Sequence, residues 1–333
     1  MIRRVAILGS GGMGTALALL FAKSAQSVQL WARNPQLALE LSQTRENARH
    51  LPGARLPENV GITGNACDAT SGSDLIVVAI PSAYLRATLE PLQERIPLGI
   101  PALSVVKGIE NATFARPSQI IKAVLGERSV SVLSGPSHAE ELAQGLPASV
   151  VVAGEDEGLN QGVLEGLNQG TFRVYTNPDI LGVELAGALK NILGIAAGVC
   201  DGLGFGDNAK AALLTRGLVE ISRFGVAMGG EFSTFFGLAG VGDMATTCYS
   251  PYGRNRMVGE RIGRGESLDQ ILGSMVNIAE GVPTTRSVYH LARQRQVEMP
   301  ITDELYQVLF EGKAPYSAVT DLMIREPKVE GRL

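Results

Sequence analysis

The segment Gly9-Ser10-Gly11-Gly12-Met13-Gly14 matches the pattern G-x-G-x-x-G. It follows an apolar β-rich run at 4–8 and opens a helical pattern at 15–25, the context in which such a turn binds a dinucleotide. Gly9 permits the tight turn, Gly11 lets a pyrophosphate approach the backbone, and Gly14 lets the helix pack close to the strand. Amides at the helix N-terminus then face the phosphates. A purely structural glycine turn is the plainer alternative. Beyond the next apolar run the chain reads Leu30-Trp31-Ala32-Arg33-Asn34-Pro35, without an acid. A site for NAD usually places a carboxylate there, on the ribose 2′-OH. Arg33 offers instead a fork of charge-assisted donors for a 2′-phosphate, or else is a solvated surface arginine.

Other segments are polar where a fold would not demand it. Lys107, in Ser104-Val105-Val106-Lys107-Gly108, follows an apolar run, at the sheet edge where ligands of open α/β sheets bind. Ser134-Gly135-Pro136-Ser137-His138-Ala139 follows the next such run. Lys190 interrupts an apolar helical pattern, where a lysine either snorkels or has a function. Gly240-Val241-Gly242-Asp243 and Tyr252-Gly253-Arg254-Asn255-Arg256 add an acid and a basic cluster, each of which is more often a helix cap or a surface face than a site.

Composition excludes several classes. Lys+Arg number 29 and Asp+Glu 33, for a net charge of −4, so no basic surface for nucleic acid is implied. Aromatic residues at 5% argue against stacked-base binding. The three cysteines, Cys67, Cys200 and Cys248, are far apart and form no CxxC, which fits a reducing cytosol. The histidines His50, His138 and His290 are isolated, so no metal site is expected. Residues 5–22 carry no charge, but the glycines inside them suit a strand, turn and helix better than a membrane span or signal peptide.

These residues need a scaffold, and 333 residues suggest two domains. The first half alternates apolar β-rich runs at 4–8, 28–31, 75–80, 102–106, 130–133, 149–153 and 172–175 with helical patterns such as 15–25 and 35–45. Continuous apolar runs joined by helices predict parallel strands buried on both faces, hence a doubly wound, Rossmann-like, mostly parallel α/β domain over 1–178. Asn177-Pro178 marks the boundary. Helical patterns at 183–199, 208–228, 254–263, 268–276, 284–295 and 302–310 then predict an all-helical domain over 179–333, with residues 326–333 frayed.

Taken together, these segments resemble the bacterial-type NAD(P)-dependent glycerol-3-phosphate dehydrogenases. The likeness runs nearly end to end, through GSGGMGTAL at 9–17, VVKGIE at 105–110, SGPSHAEEL at 134–142, ELAGALKNILGIAAG at 184–198, GFGDNAKAALLTRGL at 204–218, GLAGVGDMATTC at 237–248, GRNRMVG at 253–259 and EMPIT at 298–302. The resemblance implies reversible hydride transfer between NAD(P)H and dihydroxyacetone phosphate, giving sn-glycerol 3-phosphate for glycerophospholipid synthesis. NADP(H) is the expected preference because of Arg33. A cytoplasmic homodimer, without a membrane span or nucleic-acid partner, is the corresponding expectation.

Roles follow for matched positions. Lys190 resembles the family's proton-transferring lysine, Lys107 a lysine shared by substrate and cofactor, and Asp243 the acid near the reacting end. Gly135, Ser137, Asn191, Thr247, Gly253, Arg254 and Asn255 fall at substrate or phosphate contacts. Gly9, Gly11, Gly12, Met13, Gly14, Arg33, Ala139, Ile278 and Glu280 fall on the cofactor side, which Arg254 shares. Gly12-Met13 stands where relatives often carry a polar residue and an aromatic, reducing contacts there to backbone ones. Arg33 replaces a histidine of some members. A dehydrogenase of another 2-oxo or 3-hydroxy acid would not need both Lys107 and the Arg254-Asn255 pair. A non-enzymatic NADPH sensor would not need Lys190 and Asp243.

Overall fold

The computed structural model describes residues 2–327, 329 and 330. Of the tail expected to fray, Lys328 and residues 331–333 lie outside the described residues. The chain divides into two compact units. One holds the residues up to Val106 together with Arg116–Val183; the other holds Lys107–Ala115 and the chain from Glu184 onward.

The first unit is built on one sheet of eight strands: β1 (Arg4–Leu8), β2 (Ser27–Trp31), β3 (Val60–Thr63), β4 (Leu75–Val78), β5 (Ala102–Ser104), β6 (Val130–Ser134), β7 (Ala148–Gly154) and β8 (Phe172–Asn177). Their order is β3-β2-β1-β4-β5-β6-β7-β8. The centre is parallel, and β4 (Leu-Ile-Val-Val) is buried throughout, as a sheet covered on both faces requires.

Two strands depart from expectation. The run at 149–153 is not parallel to its neighbour: β7 pairs antiparallel with β6, Leu133 opposite Val152. The connection at 135–147 carries only the short helix Ala139–Ala143, which is too short to return the chain across the sheet. β7 therefore starts from the edge where β6 ends. The longer helix Glu157–Leu167 then restores a parallel crossover to β8, whose alternating burial marks a half-exposed edge strand. β3 was not anticipated, because four residues containing Gly61 give almost no apolar pattern.

The first helix, Gly12–Phe21, begins earlier than expected, inside the glycine turn itself. Between the helix Pro35–Thr44 and β3 the chain folds into a packed loop. Arg45 takes a left-handed φ of 60° and spends its guanidinium on the carbonyls of Leu56, Pro57 and Val60. Leu51, Ala54 and Leu56 from this loop join the main core.

The second unit is helical among its described residues. Its larger helices are Ile180–Gly202, which begins just before the unit boundary, Asp207–Ala227, Arg254–Gly263, Gly281–Gln294 and Pro300–Phe310. Leu268–Ser274 also matches a predicted helical stretch, whereas Phe232–Phe235, Asp243–Tyr249 and Pro315–Met323 were not anticipated. Ile180–Gly202 is long and apolar enough to cross a membrane, but most of it is buried inside the fold. Glycine lets its neighbour approach: a Cβ on Gly198 would lie 1.9 Å from the Arg256 carbonyl, and one on Gly259 1.9 Å from that of Ile195. These contacts fix the first two turns of the helix Arg254–Gly263 against Ile180–Gly202.

Candidate active site

In the first unit, the glycine turn has the shape its sequence demands. Gly9 sits at φ +118°, and a Cβ on Gly14 would lie 1.9 Å from the Gly9 carbonyl oxygen. No other residue fits either place. A Cβ on Gly11 would meet nothing within 4 Å, so the space above it is open. Gly11 is the N-cap of Gly12–Phe21, and no acid lies in the first turn. The positive end of the helix is thus left open to an anion, and the turn fits a dinucleotide pyrophosphate.

A Cβ on Gly12 would lie 3.0 Å from the His50 carbonyl and 3.6 Å from the Ala139 Cβ, so Ala139 borders the turn. The Met13 side chain packs against the core, leaving its backbone for any ligand. Arg33 is exposed just beyond β2, with Nη1 3.4 Å from the Thr88 hydroxyl. Asn34 beside it caps the helix Pro35–Thr44, accepting from the Gln36 and Leu37 amides. Past β6, Gly135 takes φ +131°, and the Ser137 hydroxyl donates to the Gly135 carbonyl at 2.8 Å.

In the second unit, Lys107, Lys190 and Asp243 meet. Asp243 Oδ2 lies 2.6 Å from Lys107 Nζ and Asp243 Oδ1 3.0 Å from Lys190 Nζ. Lys190 also donates to the Thr247 hydroxyl. Helix geometry explains the grouping: Asp243 opens the helix Asp243–Tyr249, and Thr247 follows one turn later on the same face. A π-helical turn, Leu238–Gly242, leads into it. There a Cβ on Gly240 would lie 1.8 Å from the Phe235 carbonyl. Neither a surface face nor a mere cap describes Asp243, which is 3% exposed.

Burial sets the electrostatics. It pushes the Lys190 ammonium down to about 8; Asp243 works against that shift and Lys107 adds to it. Burial alone would raise the Asp243 carboxyl, but the charges of Lys107 and Lys190 outweigh it and hold the group below its ordinary value. The Cys248 thiol, one residue beyond Thr247, is pushed up to about 12 by burial and is a poor nucleophile.

A chain of buried amides supports this cluster. Asn191 Nδ2 donates to the Lys107 carbonyl at 3.1 Å, Asn255 Nδ2 donates to Asn191 Oδ1 at 2.8 Å, and the Gly281 amide donates to Asn255 Oδ1 at 2.9 Å. Gly253 is the N-cap of Arg254–Gly263, and Arg254 opens that helix with its side chain exposed. Glu280 is the N-cap of Gly281–Gln294, and Ile278 lies half-buried in the loop before it.

The ion network of Asp201, Lys210 and Arg256 was missed. Asp201 pairs with Lys210 and, at 2.6 Å, with Arg256 Nε, tying the first turn of Arg254–Gly263 to the end of Ile180–Gly202. The one available clue was Lys210 itself, a lysine inside the helical pattern at 208–228; its burial is seen only in the fold.

Residues 4–160 match the family model for the NAD-dependent glycerol-3-phosphate dehydrogenase N-terminus, and residues 179–320 that for its C-terminus. Glycerol-3-phosphate dehydrogenase [NAD(P)+] from Chlorobium limicola is 47% identical over 98% of this chain and 99% of its own length. Its counterpart from Moorella thermoacetica is 47% identical over 98% of this chain and 97% of its own. The crystal structure of glycerol-3-phosphate dehydrogenase from Coxiella burnetii superposes with a TM-score of 0.93 at 35% identity, covering 97% of this chain and 99% of that one. With matching models in both halves and relatives of this identity along its length, the chain belongs to the NAD-dependent glycerol-3-phosphate dehydrogenase family.

Proposed function

We propose that the chain catalyses the reversible reduction of dihydroxyacetone phosphate to sn-glycerol 3-phosphate with NAD(P)H. The observation that carries this is the Asp243 carboxylate shared by two ammonium groups, one of them buried beside a hydroxyl. When bound, a nicotinamide would supply the hydride that reduces the ketone carbon. Negative charge then builds on the carbonyl oxygen, and Lys190 stabilises it and delivers the proton. With its ammonium brought down to about 8, Lys190 is charged at neutral pH yet able to take a proton back in the reverse direction. Thr247 and Asp243 fix its Nζ. Lys107 adds a second positive charge.

The Arg254 guanidinium and the open helix start behind Gly253 suit the substrate phosphate, since both present donors to an oxyanion. Asn191 and Asn255 position this segment and Lys107, and Gly135 and Ser137 complete the substrate contacts. Gly9 and Gly14 shape the cofactor turn, and Gly11, Gly12 and Met13 hold the pyrophosphate by their backbone. Arg33 takes the 2′-phosphate, and Ala139, Ile278 and Glu280 border the cofactor. On this reading residues 1–178 serve chiefly the cofactor and 179–333 chiefly the substrate, while Lys107, Gly135 and Ser137 serve the substrate and Arg254, Ile278 and Glu280 the cofactor. A cytoplasmic homodimer supplying glycerophospholipid synthesis is the setting that fits.

The test is NADPH oxidation with dihydroxyacetone phosphate, set beside 2-oxo acids of similar size. Turnover confined to the phosphorylated triose, with sn-glycerol 3-phosphate as product, supports the proposal. Preference for a 2-oxo acid would overturn it.

A further inference from the structure

The packed loop after Arg45 carries a side chain that the reaction does not use. Asn47 is wholly buried. Its Nδ2 donates at 2.8 Å to the Ser10 carbonyl and at 2.8 Å to the Thr15 hydroxyl. Its Oδ1 accepts from the His50 amide at 3.3 Å. The Thr15 hydroxyl in turn donates to the Gly11 carbonyl at 3.0 Å. Asn47 thus spends both its donors, and its reach ends on two successive carbonyls of the glycine turn.

That choice of carbonyls has a directional effect. In a planar trans peptide the C=O and the following N–H point in opposite directions. Holding the Ser10 carbonyl inward aims the Gly11 N–H away from Asn47. The Gly11 carbonyl accepts from the Thr15 amide at 2.9 Å, and the Thr15 hydroxyl that Asn47 holds adds a second donor, which aims the Gly12 N–H likewise. Neither Gly9 nor Gly14 can do this, because glycine permits the turn without choosing its peptide orientations. We propose that Asn47, acting through Thr15, is a positioning residue that orients the Gly11 and Gly12 amides for the cofactor pyrophosphate. An aspartate here could not donate to Ser10, and an aliphatic residue would leave a buried carbonyl unpaired. The proposal rests on the glycine turn being the pyrophosphate site.

The experiment compares Asn47→Asp, Thr15→Val and Thr15→Ser with wild type. NADPH binding is titrated by fluorescence without substrate, with inorganic pyrophosphate as competitor, and thermal unfolding is followed on the cofactor-free proteins. Asn47→Asp and Thr15→Val are expected to weaken both NADPH and pyrophosphate by about tenfold or more, the scale of one or two lost hydrogen bonds to a charged ligand. KM for NADPH should rise more than kcat falls. Thr15→Ser keeps the hydroxyl and should return affinity to within about twofold of wild type. If Asn47→Asp does not fold, the Thr15→Val and Thr15→Ser pair decides. A folded variant with lowered melting temperature but wild-type affinity for NADPH and pyrophosphate would overturn the proposal, because a merely structural role behaves that way. A wild type that binds neither NADPH nor NADH would overturn the pyrophosphate assignment as well.

Discussion

Asp243 and Lys190 form an ion pair at 3.0 Å, with side chains only 4% and 9% exposed. Such a pair is costly to bury unless its remaining atoms are satisfied. Here Lys107 pairs with the other carboxylate oxygen, and the Thr247 hydroxyl accepts a hydrogen bond from Lys190. The arrangement leaves Lys190 charged at neutral pH but close to its titration, with its ammonium brought down to about 8 by burial against the opposing pull of Asp243.

A pH dependence follows. Reduction needs Lys190 protonated, so kcat for dihydroxyacetone phosphate should fall as pH rises through about 8. Oxidation of glycerol 3-phosphate needs it neutral and should rise over the same range. Asp243→Asn removes the charge that raises Lys190 while Lys107 still lowers it, so the alkaline limb of reduction should move to lower pH, with a large loss of rate. Profiles of kcat against pH in both directions check this, and a limb displaced upward in the variant would contradict it.

Arg254 is exposed at the start of its helix, where a guanidinium and free amides can share a phosphate. Arg254→Ala is expected to weaken dihydroxyacetone phosphate far more than unphosphorylated dihydroxyacetone. Binding energy from the phosphate also orients the reacting carbon, so kcat should fall along with the rise in KM. Steady-state kinetics on the two ketones measure the difference, and equal losses would remove Arg254 from phosphate recognition.

Arg33 lies exposed beyond β2, and its neighbour Asn34 is engaged as a helix cap. The guanidinium should favour NADPH over NADH by a moderate factor, since water and salt screen an exposed pair. Arg33→Asp should shift preference toward NADH, chiefly through KM for the cofactor. Kinetics with both cofactors on both proteins decide it; an unchanged ratio would show that Arg33 does not face the 2′-phosphate.

Local chemistry was the legible part of the sequence. Gly9 and Gly14 are a few residues apart, and their spacing alone fixes a turn into a helix. The lysine inside the apolar helix stood out because burial and charge conflict at Lys190. What it paired with was less visible: Lys107 and Asp243 are 136 residues apart and meet only through tertiary packing. The family likeness named those three positions, but not their shared carboxylate. The reversal of β7 depends on how far the chain at 135–147 can reach, which apolar pattern does not encode. Asn47 was invisible for a similar reason, since nothing local distinguishes a buried asparagine from one on a polar loop.

Lys190→Met tests the centre of the account most directly, because it keeps the side chain's length and apolar stem while removing the amine. NADPH affinity, measured by fluorescence titration, should stay close to wild type, since the glycine turn lies in the other unit. Turnover of dihydroxyacetone phosphate should fall by about 10²–10⁴-fold, the range for a lost general acid. A folded variant that binds NADPH and keeps its rate within about tenfold of wild type would show that the proton comes from elsewhere.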